Sequence, residues 1–168
     1  SQKIKWATCH RAGRRFLYNC IKRGKDNGCL LADEMGLGKT LQAISIALYY
    51  KDSWPLLIIC PSSLRQNWQN EITQNVPNIS EMGGVVVIFG SKDLTKPWGK
   101  VTILSYEIAS KHAHLLLQKK FKIVIADECH YLYTDALFNE YTDLSYNYLL
   151  EQKDNVVIFM SATAPAFF

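Results

Sequence analysis

No apolar run in the 168-residue sequence is longer than about five residues, far short of the roughly 20 that a membrane-spanning helix needs. No membrane partner is therefore expected. No charged-then-apolar leader opens the sequence, so no secretory segment is expected either. The five cysteines (Cys9, Cys20, Cys29, Cys60 and Cys129) are odd in number and contain no C-x-x-C pair. That spacing argues against a disulfide framework or a zinc ribbon and predicts reduced thiols in cytosol or nucleus. Cys29 and Cys60 lie inside apolar runs and are expected to fill core. Strong charge of one sign is also missing: 19 Lys and Arg against 15 Asp and Glu leave a net charge of +4. A phosphate-bearing partner is allowed but not required. Hydrophobic residues make up 48% and charged residues 20%, which excludes a disordered or collagen-like chain. Without repeats or low-complexity linkers, residues 1–168 read as one domain, long enough to bury about 70% of its unfolded surface.

What is present is an alternation of short apolar runs and helical patterns. Strands are expected at Gly28 to Ala32, Leu56 to Cys60, Val85 to Phe89, Val101 to Leu104, Ile123 to Ala126 and Val156 to Met160. Leu41, Ile44 and Leu48 give helical spacing through Tyr50, and Leu64, Trp68 and Ile72 give it again. Ser63 with Gln66 has the form of a capping box at the start of that second helix. Ile108, Leu115 and Leu116 predict one more helix. The strands are continuous apolar runs, not alternating ones, as expected of a mostly parallel α/β sheet covered by helices on both faces. In such sheets ligands bind beyond the carboxyl ends of the strands, so chemistry is expected just after each run.

Gly36-Leu37-Gly38-Lys39-Thr40 follows a strand and opens a helix, which is the setting of a phosphate loop. Glycines let successive backbone N–H groups face phosphate oxygens. Lys39 supplies charge for the outer phosphates, and the Thr40 hydroxyl is a hard ligand for Mg²⁺. The generic pattern places a glycine where this chain has Asp33. Asp127 and Glu128 end another apolar strand, 127 − 39 = 88 residues beyond Lys39. Two carboxylates there are expensive to bury unless something cationic meets them. A magnesium nucleotide explains both: Asp127 holds Mg²⁺ through water, and Glu128 acts as general base. The alternative, a solvated strand end, is the weaker reading, and the phosphate loop weakens it further. His130 is read as a residue coupling this site to the rest of the domain, or as an ordinary structural histidine. Ser62 and Ser63 are read as helix caps, phosphate contacts or both.

These segments resemble a known family. Asp33-Glu34-Met35-Gly36-Leu37-Gly38-Lys39-Thr40-Leu41-Gln42-Ala43-Ile44 resembles motif I of the Swi/Snf-type ATPases of helicase superfamily two. Asp127-Glu128-Cys129-His130 resembles their D-E-x-H box, Ser161-Ala162-Thr163 their motif III, and Pro61-Ser62-Ser63-Leu64 their motif Ia. Ser105-Tyr106-Glu107 resembles a later nucleic-acid motif. Residues 54–65 with Trp68, and 121–131, are most similar to the HepA-related annealing helicases, a subgroup that includes a zinc-finger annealing helicase. Three positions depart from the family pattern. His10 stands where the family has a glutamine that reads adenine, Tyr133 replaces a common lysine, and motif III reads S-A-T as in RNA helicases.

The resemblance implies a RecA-like P-loop NTPase lobe whose cofactors are ATP and Mg²⁺. Asp33 to Thr40 and His10 would cradle the nucleotide. Ser161 and Thr163 would join His130 in coupling. Strand 156–160 would lie between 28–32 and 122–126. Ser62, Ser63, Arg65 and Ser105 would contact backbone phosphates of double-stranded or forked DNA in the nucleus. A second RecA-like lobe of the full-length protein would supply transition-state arginines, so residues 1–168 alone are expected to turn over little ATP. The S-A-T motif keeps an RNA helicase open as an alternative. An isolated nucleotide-binding module without turnover is another.

Overall fold

The computed structural model describes residues 28–31, 38–132 and 155–161. Six strands are present among them: β1 (Gly28–Leu31), β2 (Leu56–Cys60), β3 (Val85–Val87), β4 (Val101–Ser105), β5 (Ile123–Ala126) and β6 (Val156–Met160). They form a single sheet in the order β1-β6-β5-β2-β4-β3. Every neighbouring pair is parallel. The last strand, β6, lies between β1 and β5, the arrangement that the family resemblance implies.

Among the described residues four α-helices flank the sheet: α1 (Lys39–Tyr49), α2 (Arg65–Asn75), α3 (Tyr106–Lys111) and α4 (Ala113–Lys119). Strands β2, β4 and β5 are buried at every position, as unbroken apolar runs require. Successive side chains point to opposite faces and so feed two cores. Leu56, Ile58 and Cys60 pack with Ile44 of α1 and with Trp68 and Ile72 of α2. Leu57 and Ile59 pack on the other face with Tyr106 and Ile108 of α3 and Leu116 of α4. No helix among the described residues is long and apolar enough to cross a membrane.

Three local expectations are corrected. Strand β3 stops at Val87 rather than Phe89. The N–H groups of Phe89 and Gly90 turn away from the sheet and donate to Asp93 Oδ2, at 3.0 and 3.2 Å. The single helix expected after β4 is broken in two at His112, where φ reaches −123°. Ser63 and Gln66 form no capping box. A 3₁₀ turn (Ser62–Leu64) follows Pro61, with the Leu64 N–H donating to the Pro61 carbonyl at 2.9 Å. That turn moves the helix start to Arg65, where no side chain caps it. The Gln66 amide instead donates to Gln69 Oε1 at 2.7 Å.

Candidate functional site

Functional residues expected from the sequence line up along the carboxyl edge of the sheet. Gly38, at the N-cap of α1, adopts φ 78° and ψ 30°, a left-handed conformation that suits glycine. Lys39 and Thr40 occupy the first turn of α1. No acidic side chain shares that turn, and the positive end of the helix dipole favours an anion there. Beside β1, the Ser161 N–H extends the pairing by donating to the Leu31 carbonyl at 3.2 Å. This puts Ser161, fully buried, next to the strand that feeds the phosphate loop. His10, Asp33 to Leu37 and Thr163 lie outside the described residues.

Asp127 follows β5, and its N–H donates to the Ile59 carbonyl at 2.8 Å, which fixes it at the centre of the sheet edge. Burial pushes its carboxyl above the ordinary carboxylate range. A hydrogen bond from Trp68 and the Lys39 charge pull it back down, while the Glu128 carboxylate pushes it up. Lys39 and Asp127 are thus electrostatic neighbours despite their separation in sequence. A buried carboxylate within electrostatic reach of Lys39, at the sheet edge where α1 starts, fits a phosphate-bound divalent cation. No cluster of three or more metal-ligating side chains occurs among the described residues.

Glu128 adopts φ 51°, a left-handed conformation rare for a residue with a side chain. Such strain gathers at functional sites. Its N–H donates to Asp127 Oδ1 at 2.8 Å, and its carboxylate meets His130 Nδ1 at 3.2 Å. The His130 ring packs against Tyr131, and Tyr131 stacks on Tyr106 with centroids 5.7 Å apart. A carboxylate so held can polarise a water, and the histidine ties it to the neighbouring aromatic pair.

Along the other half of the edge, an open groove of roughly 170 Å³ runs past the ends of β2, β3 and β4. Ser62, Arg65 and Ser105 line it together, with Phe89, Ser91, Glu107 and Lys111. Ser63 is exposed on the same turn but is not one of the lining residues. Arg65 donates to the carbonyls of Ser62, Ile88 and Phe89, at 3.0, 3.1 and 3.3 Å, and lies over the Phe89 ring at 5.0 Å. None of these partners neutralises its charge. Phe89 is 59% exposed, large for an aromatic residue, and its position on the groove was not foreseen.

Trp68 was missed as a site residue, and Tyr106 was read only as part of Ser105-Tyr106-Glu107, without its contact to the acids. The Trp68 Nε1–H donates to Asp127 Oδ2 at 2.8 Å, and the Tyr106 hydroxyl donates to the Asp127 carbonyl at 2.7 Å. At helical spacing Trp68 reads only as core. The available clue is that a buried indole N–H must find an acceptor.

The SNF2-related domain model matches residues 10–147. The mouse (Mus musculus) DNA annealing helicase and endonuclease ZRANB3 is 43% identical over 113 residues, covering 64% of this chain and 10% of that protein. The cattle (Bos taurus) SWI/SNF-related matrix-associated actin-dependent regulator of chromatin subfamily A-like protein 1 is 43% identical over 122 residues, covering 73% of this chain and 12% of that protein. The chain therefore spans about a tenth of the length of these relatives. Among solved structures, the Sulfolobus solfataricus SWI2/SNF2 ATPase core in complex with dsDNA superposes with a TM-score of 0.59 and 22% identity, covering 95% of this chain and 30% of that one. At that identity the likeness speaks for the fold, a RecA-like lobe. Nucleotide binding is a property of the family, and the chain belongs to the SNF2-related domain family.

Proposed function

We propose that this chain is the ATP-binding and hydrolysing lobe of a DNA-dependent ATPase and translocase, an annealing helicase of DNA repair or replication-fork remodelling. The observation that carries the reading is the single row at the sheet edge. Lys39, Ser161, Asp127 and Glu128 occupy one half of it, and the groove with Ser62, Arg65 and Ser105 occupies the other. Lys39 and Gly38, with Asp33 to Leu37, hold the phosphates, and His10 takes the place of the family's adenine-reading glutamine. Thr40 and Asp127 would hold Mg²⁺, which would screen phosphate charge. Glu128 takes a proton from the attacking water. His130, Ser161 and Thr163 link nucleotide state to the rest of the lobe. Ser62, Ser63, Arg65 and Ser105 contact backbone phosphates of double-stranded or forked DNA, which positions the motor without reading sequence. A second RecA-like lobe in the full-length protein closes over the nucleotide and brings arginine charge. The relatives' names, a chromatin regulator and a DNA annealing helicase, support action in the nucleus.

A second reading, an RNA helicase, is favoured by Ala162 in Ser161-Ala162-Thr163. ATP turnover by the full-length protein, measured with duplex DNA and with duplex RNA of equal length, separates the two. Stimulation by DNA above RNA is expected, and stimulation by RNA alone would overturn the DNA reading.

A further inference from the structure

We propose that Trp68 and Tyr106 are positioning residues that carry the state of the groove to the catalytic acids, so that DNA seated on the starts of α2 and α3 sets the geometry of Asp127 and Glu128. This rests on the proposed function and adds the route by which DNA governs turnover.

Asp127 is gripped from both faces of the sheet. Trp68 reaches it from the core beneath α1 and α2, and Tyr106 from the core beneath α3 and α4. Both donors are short, at 2.8 Å to the carboxylate and 2.7 Å to the carbonyl. The carbonyl belongs to the peptide unit that joins Asp127 to Glu128. The N–H of that same unit donates to Asp127 Oδ1 at 2.8 Å. The peptide is therefore pinned at both edges, and its orientation sets the left-handed φ of 51° at Glu128. A tyrosine hydroxyl thus helps to aim the proposed base without touching its carboxylate.

Both donors begin at the groove. Arg65, in its wall, precedes Trp68 by three residues, one turn earlier on the same helix. Ser105, also in the wall, directly precedes Tyr106, and its hydroxyl caps α3 by accepting the Ile108 N–H at 3.3 Å. Trp68 is only 1% exposed and Tyr106 only 2%. Close-packed side chains of this kind move with their helices. A ligand that shifts either helix start must therefore change a hydrogen bond to Asp127, whose strength depends steeply on length and angle. Two buried side chains that merely needed acceptors had no reason to choose the same residue from opposite faces.

The test uses the full-length protein and the variants Tyr106→Phe and Trp68→Phe, each of which keeps an aromatic ring and loses its donor. Turnover is measured with and without saturating duplex DNA, alongside DNA affinity, KM for Mg-ATP and the melting temperature. The ratio of DNA-stimulated to unstimulated kcat is expected to fall about tenfold in each variant, the scale of a lost hydrogen bond to a charged or polarised acceptor. DNA affinity and KM are expected to stay within about twofold, which separates positioning from binding. An unchanged ratio, even with a lowered melting temperature, would show that both residues serve packing alone and would overturn the proposal. Loss of DNA affinity with the ratio preserved would overturn it too. If Trp68→Phe does not fold, Tyr106→Phe, which removes one oxygen, decides. A wild-type protein whose turnover is indifferent to DNA would overturn the proposed function itself, and the coupling with it.

Discussion

Glu128 is the residue where backbone and chemistry meet. Its φ of 51° costs a residue with a Cβ something on the order of 1 kcal/mol, which glycine does not incur. Glu128→Gly and Glu128→Ala both remove the carboxylate and its contact with His130. Glu128→Gly is therefore expected to melt higher than Glu128→Ala despite glycine's greater freedom in the unfolded chain. The reverse order in a thermal melt would mean that the backbone there is not left-handed. Buried cysteines give a second prediction at this scale. The Cys60 and Cys129 thiols are pushed up to about 12, chiefly by burial. At pH 8 roughly one such thiol in ten thousand is ionised, so alkylation should be slowed about a thousandfold against a free cysteine. Peptide mapping after iodoacetamide should find neither residue modified in the folded protein, and rapid modification would contradict their burial. The sign for stability follows. The folded chain keeps these protons when the unfolded chain begins to lose them near 9.0, so stability is lost as pH rises from there toward 12.

At the scale of elements, the start of α2 is where the groove and the helix share a residue. Arg65 braces the end of β3 through two carbonyls while keeping its charge beside the groove. Arg65→Ala should weaken DNA binding equally across sequences and lower the salt slope by about one. Affinity measured at several salt concentrations checks this, and an unchanged slope would place the DNA elsewhere. Elements differ in how plainly the sequence announces them. Strands β2, β5 and β6 have the bounds that their apolar runs predict, because burial on both faces leaves no polar residue to blur an end. Strand β3 falls short of its run because Asp93 competes for the N–H groups of Phe89 and Gly90, and a carboxylate four residues downstream leaves no mark in the run itself. The helix after β4 divides at His112, and no glycine or proline in the sequence there announces the break. Lys39, Asp127 and Glu128 were legible as a candidate site because a glycine-rich turn into a helix and two carboxylates at the end of a buried strand each need a reason. Trp68 was not, since an aromatic side chain at a core spacing already has one, and the motif Ser105-Tyr106-Glu107 gave no sign that the Tyr106 hydroxyl reaches Asp127.

At the scale of the whole molecule, the sheet order converts distance in sequence into adjacency. With β6 inserted between β1 and β5, Ser161 lies between the phosphate-loop strand and the acids, and β2 and β4 carry the groove beside them. All of this faces one edge, so a nucleotide seated there leaves its outer side to be covered by something else. Residues 1–168 alone are accordingly expected to bind Mg-ATP weakly and to hydrolyse it negligibly, because solvent weakens each contact at the reacting phosphate. Substantial DNA-stimulated turnover by this segment alone at physiological salt would contradict the need for a facing lobe. The most direct measurement of the central claim is steady-state ATP turnover by the full-length protein, wild type and Glu128→Gln, with and without duplex DNA. The account predicts that duplex DNA raises wild-type turnover by about tenfold or more, and that Glu128→Gln still binds ATP but stays near zero in both conditions. Turnover that DNA leaves unchanged, or that Glu128→Gln retains, would contradict it.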